Sequence, residues 1–448
     1  MRRSNRGRGP PVTENGAIAR TGRHRWPATL ALALVGAWLV ASPASAQLVH
    51  GLGGAIRDLP STLHGELGDL RQATDQTVTD IGSTASAISH ERLIDLARAN
   101  PRALDLDDNG AVVVRGQVLA ISPGPASLAI AAKAGFSALH ESRLDSLGLD
   151  LVTLGAPKGM AARDALRRLR TLDPQGQYDL DHLYAGAGQA VAAAGVEAGA
   201  GSAPGGGTAR IGLLDTGVDR RHPAFAGASI EQRGFAPGGL TPAAHGTAVA
   251  SLIVGATHSF HGAAPGASLL AADVYGAGPT GGSADAIVQG LGWMAENHVR
   301  VINISLVGPS NLTLGAALRA LIDRGVLIVA PVGNDGPAAP PLYPAAYPGV
   351  IAVTGVDRRG KVLLEAGRAG HVDFEAPGAD IEAAKPGGGF ARVRGTSFAA
   401  PIVAGRLAQL LREDDRTPAP RAVAALGDQA KKNGGVVGRD VGVADQAH

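Results

Sequence analysis

Beyond residue 208 the chain alternates short, unbroken apolar runs with helical patterns, and this restricts its fold more than any other feature. The runs lie at 209–214, 268–274, 299–306, 327–332 and 350–353. Strands apolar on both faces must be covered on both faces, and strands joined through helices pair in parallel. The expected fold class is α/β, with a parallel doubly wound sheet over residues 209–435 and a short tail at 436–448. Packing must be close, because 64 of the 448 residues are Gly and aromatics make up only 3%.

The preceding half divides by composition. Residues 1–27 hold seven arginines against Glu14 alone, more than the whole chain's formal surplus of +2. The remainder of the chain is therefore acidic, and a nucleic-acid partner loses its support. An apolar run at 28–41 and then Ala44-Ser45-Ala46 complete the order of an export signal, with cleavage expected before Gln47 and a secreted or periplasmic destination. An uncleaved signal would instead leave an N-terminal membrane anchor. The chain has no cysteine, so stability outside the cytoplasm must come from packing or bound ions.

Residues 47–110 read as a helical extension, with Ile56, Leu59, Leu63, Leu67 and Leu70 at helical spacing and a second helix at 91–99. Residues 111–184 read as a small α+β domain: strand 117–121, helix 126–134, strands 136–144 and 149–154, helix 161–169 and strand 178–183, a βαββαβ order. Residues 185–208 are nearly all Gly, Ala, Ser and Pro and read as a linker. Gly205 to Gly207 lack the strand before and the Lys after that a phosphate loop needs.

Four fragments can carry chemistry. In ARIGLLDTGVD, Asp215 follows a strand, at the sheet edge where α/β proteins bind ligands; it could equally cap a turn. In HGTAVASLIVG, His245 opens a helix and could be a base or a structural cap. In RGTSFAAPIVAG, Ser397 stands at a helix N-terminus, a capping position that also directs free N–H groups at any oxyanion beside it. In VLIVAPVGNDGP, Asn334 could donate its amide to an oxyanion or simply make a turn.

Taken together, in the order Asp, His, Asn, Ser, these fragments resemble the subtilisin-like serine peptidases over about 209–412. The resemblance implies a Ser-His-Asp triad of Asp215, His245 and Ser397, with Asn334 and the Ser397 N–H as oxyanion donors. It also implies that Ser305, Leu306 and Val307 pair with an extended peptide, opposite a wall of Ala330, Pro331, Val332 and Gly333. Val307 replaces the usual glycine, which narrows the specificity pocket. Residues 111–184 resemble the family's pro-domain, an intramolecular inhibitor, with self-cleavage expected after Tyr184. The implied function is a secreted serine endopeptidase acting on proteins or peptides, made as a self-processed zymogen. A catalytically silent, peptide-binding or chaperone-like relative and an esterase remain as alternatives. No cofactor is implied; family members often bind calcium, yet no liganding loop is legible. His258 and His261 lack nearby carboxylates, and His222 and His371 read as turn or surface residues.

Overall fold

The computed structural model describes residues 88–191, 210–411 and 418–442. The expected signal at 1–46, the leucine stripe at 56–70 and residues 192–208 of the expected linker lie outside them. The first elements are α1 (Ile88–Ala99), β1 (Leu104–Leu106), β2 (Val112–Ile121), α2 (Pro125–Lys133), β3 (Ser137–Leu144), β4 (Leu149–Gly155), α3 (Ala162–Leu172) and β5 (Gln177–His182). Long β2 organises them: β1 pairs with its first half, β4 and β5 with its second, and β3 adds to β4, all antiparallel.

Alternation along β2 sends its side chains to two different cores. Val118 and Ala120 face a local core with Phe136, Leu154, Leu169, Tyr178 and Leu180. Leu119 points the other way and joins Leu144, Leu147 and Leu151 in a cluster with Leu214, Ile287, Leu291 and Trp293 from the region after residue 209. Burying each such leucine stabilises the assembly by about 1.5–3 kcal/mol. The end of the expected extension belongs to this body, because Leu93, Ile94 and Leu96 of α1 pack against Leu104, Val112, Val114 and Leu183.

Next come β6 (Ala185–Gly186) and β7 (Gln189–Val191). The linker expected from residue 185 therefore begins later: residues 185–191 are extended and paired to the larger domain. Composition pointed to a linker because small residues bury little area, but here backbone pairing supplies the order.

The larger domain contains β8 (Arg210–Asp215), β9 (Ser229–Gly234), α4 (Ala244–Val254), β10 (Ser268–Asp273), α5 (Ala284–Glu296), β11 (Val301–Ile304) and β12 (Leu306–Val307). It continues with α6 (Leu312–Ile322), β13 (Leu327–Pro331), β14 (Ile351–Val356), β15 (Phe374–Pro377), β16 (Ala379–Ala384), β17 (Phe390–Arg394), α7 (Thr396–Leu410) and α8 (Ala419–Lys432). Among the described residues a seven-stranded parallel sheet runs β15-β14-β13-β11-β8-β10-β9. Side chains of α4, α7 and α8 fill the core on one face, and those of α5 and α6 on the other, the doubly wound α/β arrangement the apolar runs demand. Val436, Val437 and Val441 are buried in this domain, so it extends past the expected boundary at 435. No described helix is long and apolar enough to cross a membrane.

Candidate active site

Strand β8 is central, and the chain moves from its β10 side to its β11 side, which leaves a crevice at its carboxyl end. Asp215, the last residue of β8, occupies that point and is wholly buried. The Thr216 N–H donates to its Oδ1 at 2.7 Å. Helix α4 brings His245 alongside: Nδ1 lies 2.8 Å from both Asp215 oxygens. Gly246 makes this approach possible, because a Cβ there would run into the Thr216 carbonyl.

The other imidazole nitrogen, His245 Nε2, lies 3.0 Å from Ser397 Oγ. Ser397 is the second residue of α7, and Gly395 before it holds a φ of 137°, a backbone conformation that side chains disfavour. The Phe398 ring sits 5.4 Å from the imidazole. Ser305 Oγ donates to the Ser397 carbonyl at 3.0 Å and accepts from Asn303 Nδ2 at 2.8 Å, tying β11 to the start of α7. Three groups far apart in sequence thus form one relay, with the imidazole oriented by the carboxylate and facing the hydroxyl.

Asn334 completes the rim. Gly333 takes a φ of +91°, and the Asn334 carboxamide is fixed by the Thr396 N–H, which donates to Oδ1 at 3.0 Å. Nδ2 then donates to the Ala187 carbonyl oxygen at 2.7 Å. The Ser397 N–H donates to the same oxygen at 3.0 Å, and Ser397 Oγ touches it too. The chain's own Ala187 carbonyl therefore lies where an oxyanion would form.

This segment crosses the site extended. Upstream, β6 pairs antiparallel with β12, Ala185 opposite Val307 and Gly186 opposite Leu306, and the Ala187 N–H reaches the Ser305 carbonyl at 3.4 Å. Downstream, β7 pairs antiparallel with β17. Ser305, Leu306 and Val307 thus run beside the segment. Ala330 and Pro331 are buried in β13 against Ala352 and Val353, and Val332 and Gly333 lead into Asn334. Tyr184, the expected point of self-cleavage, lies upstream of the serine, its carbonyl accepting from Tyr275 Oη at 3.0 Å, and the peptide bond beside Ser397 is the one that joins Ala187 to Gly188.

Strand β5 anchors the segment's upstream end across two helix N-termini. Asp179 Oδ2 accepts from the Leu312 N–H of α6 at 2.5 Å, and Asp181 Oδ1 from the Asp285 N–H of α5 at 2.9 Å. Both carboxyls meet the positive ends of helix dipoles. Asn311 Nδ2 donates to the Leu180 carbonyl at 2.8 Å. Burial, with the nearby Asp285 charge, raises the Asp181 carboxyl well above its ordinary range, and burial raises Asp285 as well; two carboxyls so placed resist ionising together.

Sequence reasoning passed over Ala187 and Gly188, Thr396 as the orienter of Asn334, and the Tyr184 contacts. The signal available was a run of small residues directly after Tyr184, the only side chains able to lie flat in a closed site. Of the two places expected for His222, turn or surface, it takes the turn: its Nδ1 accepts from the Ala224 N–H at 3.1 Å, while the ring is buried between Phe225 and Phe390 and meets the Gly389 carbonyl at 2.8 Å. Among the described residues no three histidine, aspartate or glutamate side chains converge as metal ligands.

Residues 206–442 match the profile of the Subtilase family, peptidase S8. Subtilisin E of Bacillus subtilis (strain 168) is 34% identical over 223 residues, 46% of this chain and 56% of that protein. Subtilisin Savinase of Lederbergia lenta is 38% identical over 208 residues, 44% of this chain and 74% of that protein. The chain thus spans about half the length of curated relatives such as Subtilisin E. Among solved structures, fervidolysin from Fervidobacterium pennivorans, a keratinolytic enzyme related to subtilisin, superposes with a TM-score of 0.62 at 22% identity, covering 75% of this chain and 62% of that one. That last likeness is one of fold.

Proposed function

The chain belongs to the subtilase family, and from that premise we propose that it is a secreted serine endopeptidase whose first substrate is its own Ala187–Gly188 bond. The observation that carries this reading is the Ala187 carbonyl, which accepts from Asn334 Nδ2 and the Ser397 N–H while Ser397 Oγ faces His245 Nε2.

In this mechanism His245 Nε2 takes the Ser397 hydroxyl proton as Oγ bonds to the Ala187 carbonyl carbon. The oxygen becomes an oxyanion held by the two N–H donors already on it, and buried Asp215 stabilises the imidazolium through Nδ1. His245 returns the proton to the Gly188 nitrogen as the C–N bond breaks. Water, activated by the same imidazole, then releases Ala187 from Ser397. The cut segment keeps its β12 pairing and the two carboxyl contacts of β5 with helix N-termini, so the pro-domain stays in the cleft as inhibitor. Secretion rests on the basic, apolar and small-residue order of residues 1–46.

A silent peptide-binding relative would keep the β12 groove without needing a hydroxyl aligned on an imidazole. A fluorophosphonate probe separates the two readings. Processed enzyme is expected to be labelled at Ser397, and Ser397→Ala to abolish both labelling and self-cleavage, with turnover falling about 10⁶-fold. Lack of labelling in processed, folded enzyme would sink the peptidase reading.

A further inference from the structure

We propose that this enzyme selects substrates by reading a tyrosine hydroxyl at the fourth residue before the cut and by admitting only glycine just after it. The inference rests on the peptidase reading and names its substrate class: segments with tyrosine at the fourth residue before the cut, a small residue at the second and glycine just after it.

Tyr184 is the fourth residue back from the Ala187–Gly188 bond and is wholly buried. Its backbone is held on both sides: its N–H donates to the Gly282 carbonyl at 2.8 Å, and its carbonyl accepts from Tyr275 Oη at 3.0 Å. The ring lies flat on Gly308, where a Cβ would come within 2.5 Å of its Cδ1. At the end of this slot the phenol Oη donates to the Pro309 carbonyl at 2.8 Å. Phenylalanine fills the same slot but leaves that carbonyl without its donor, and alanine forfeits both ring and hydroxyl. A site that bonds a substrate hydroxyl rejects the analogue lacking it far more strongly than an apolar pocket rejects a missing methylene.

The other end of the motif is set by exclusion. A Cβ on Gly188 would strike Ser397 Oγ and come within 2.5 Å of Phe398 Cε2. Neither can yield freely, because Ser397 is aligned on His245 and Phe398 is buried against that imidazole. Between the two ends, a Cβ at Gly186 would meet His245 at 3.4 Å, an ordinary contact that admits alanine.

The test compares kcat/KM of processed enzyme on quenched peptides of sequence Tyr-Ala-Gly-Ala-Gly-Gln with versions carrying Phe or Ala first, or Ala fifth. Tyr is expected to exceed Phe by about 10⁴-fold and Ala by at least as much, and the fifth-position Ala peptide to fall at least about 10-fold. Gly308→Ala, with folding checked by its melting transition, should collapse the Tyr-over-Ala ratio toward unity. Phe cleaved as fast as Tyr, or a Gly308→Ala enzyme that keeps the Tyr ratio, overturns the specificity inference alone. No cleavage of any peptide overturns it together with the peptidase reading.

Discussion

The two sheets bury their faces in different ways. The parallel sheet has its own helices on both sides, with α4, α7 and α8 over one face and α5 and α6 over the other. The antiparallel sheet has its own helices and local core on one side only, and its other face contributes Leu119, Leu144, Leu147 and Leu151 to the core of its neighbour. The larger domain is thus complete in itself, while the smaller one completes its burial by docking. This asymmetry supports the pro-domain role proposed above, which requires a domain that completes its burial on the body it is to inhibit and whose last strand leads directly into the cleft.

After the loss of Ser397 itself, the largest expected effect lies on the self-sufficient side. Asn334→Ala should lower kcat about 10²- to 10³-fold, the cost of losing one oxyanion donor, and leave the melting transition of the larger domain intact; a loss below 10-fold would remove Asn334 from the machinery. Next is the shared face. Leu144 packs on Gly292, where a Cβ would lie 2.8 Å from Leu144 Cδ2. Leu144→Ala should weaken inhibition by the cut pro-domain by about 3 kcal/mol, roughly 10²-fold, while the stability of the larger domain holds. If that domain melts earlier instead, the asymmetry is wrong. Smaller still, Asp179→Ala removes the acceptor that β5 offers the Leu312 N–H of α6, which Asn311 still caps, and should weaken the same inhibition by about 1 kcal/mol, around five-fold.

The smallest effect is a slope. Burial raises Asp181 well above its ordinary range in the docked state, and release returns it to water. Asp285, also raised by burial, adds repulsion that His140 partly offsets. The docked state therefore binds more protons, so docking is strongest at acid pH and weakens as pH rises through the raised docked-state value. Asp181→Asn should flatten that dependence. An inhibition constant that tightens toward neutral pH would reverse the sign.

The same asymmetry governs how much was legible in the sequence. Strands β8, β10, β11, β13 and β14 lie inside the parallel sheet and read as unbroken apolar runs. Strands β9 and β15 form its two edges, and β9 carries Ser229, Glu231, Gln232 and Arg233, so no apolar run marks it. The four chemical residues were legible because each stands at a strand end or helix start with glycine close by. The route of residues 185–191 was not, since a segment of Gly and Ala is ordered only by backbone bonds to strands far away in sequence. Nor could the sequence show that α1 packs onto β1 and β2, because its leucines fit any neighbour.

The central claim is that the bond beside Ser397 is the first one broken. The most direct measurement is mass spectrometry of both new termini at the earliest stage of processing of the full chain. The account predicts one fragment ending in Ala187 and its partner beginning at Gly188. A pair ending in Tyr184 and beginning at Ala185 would contradict it.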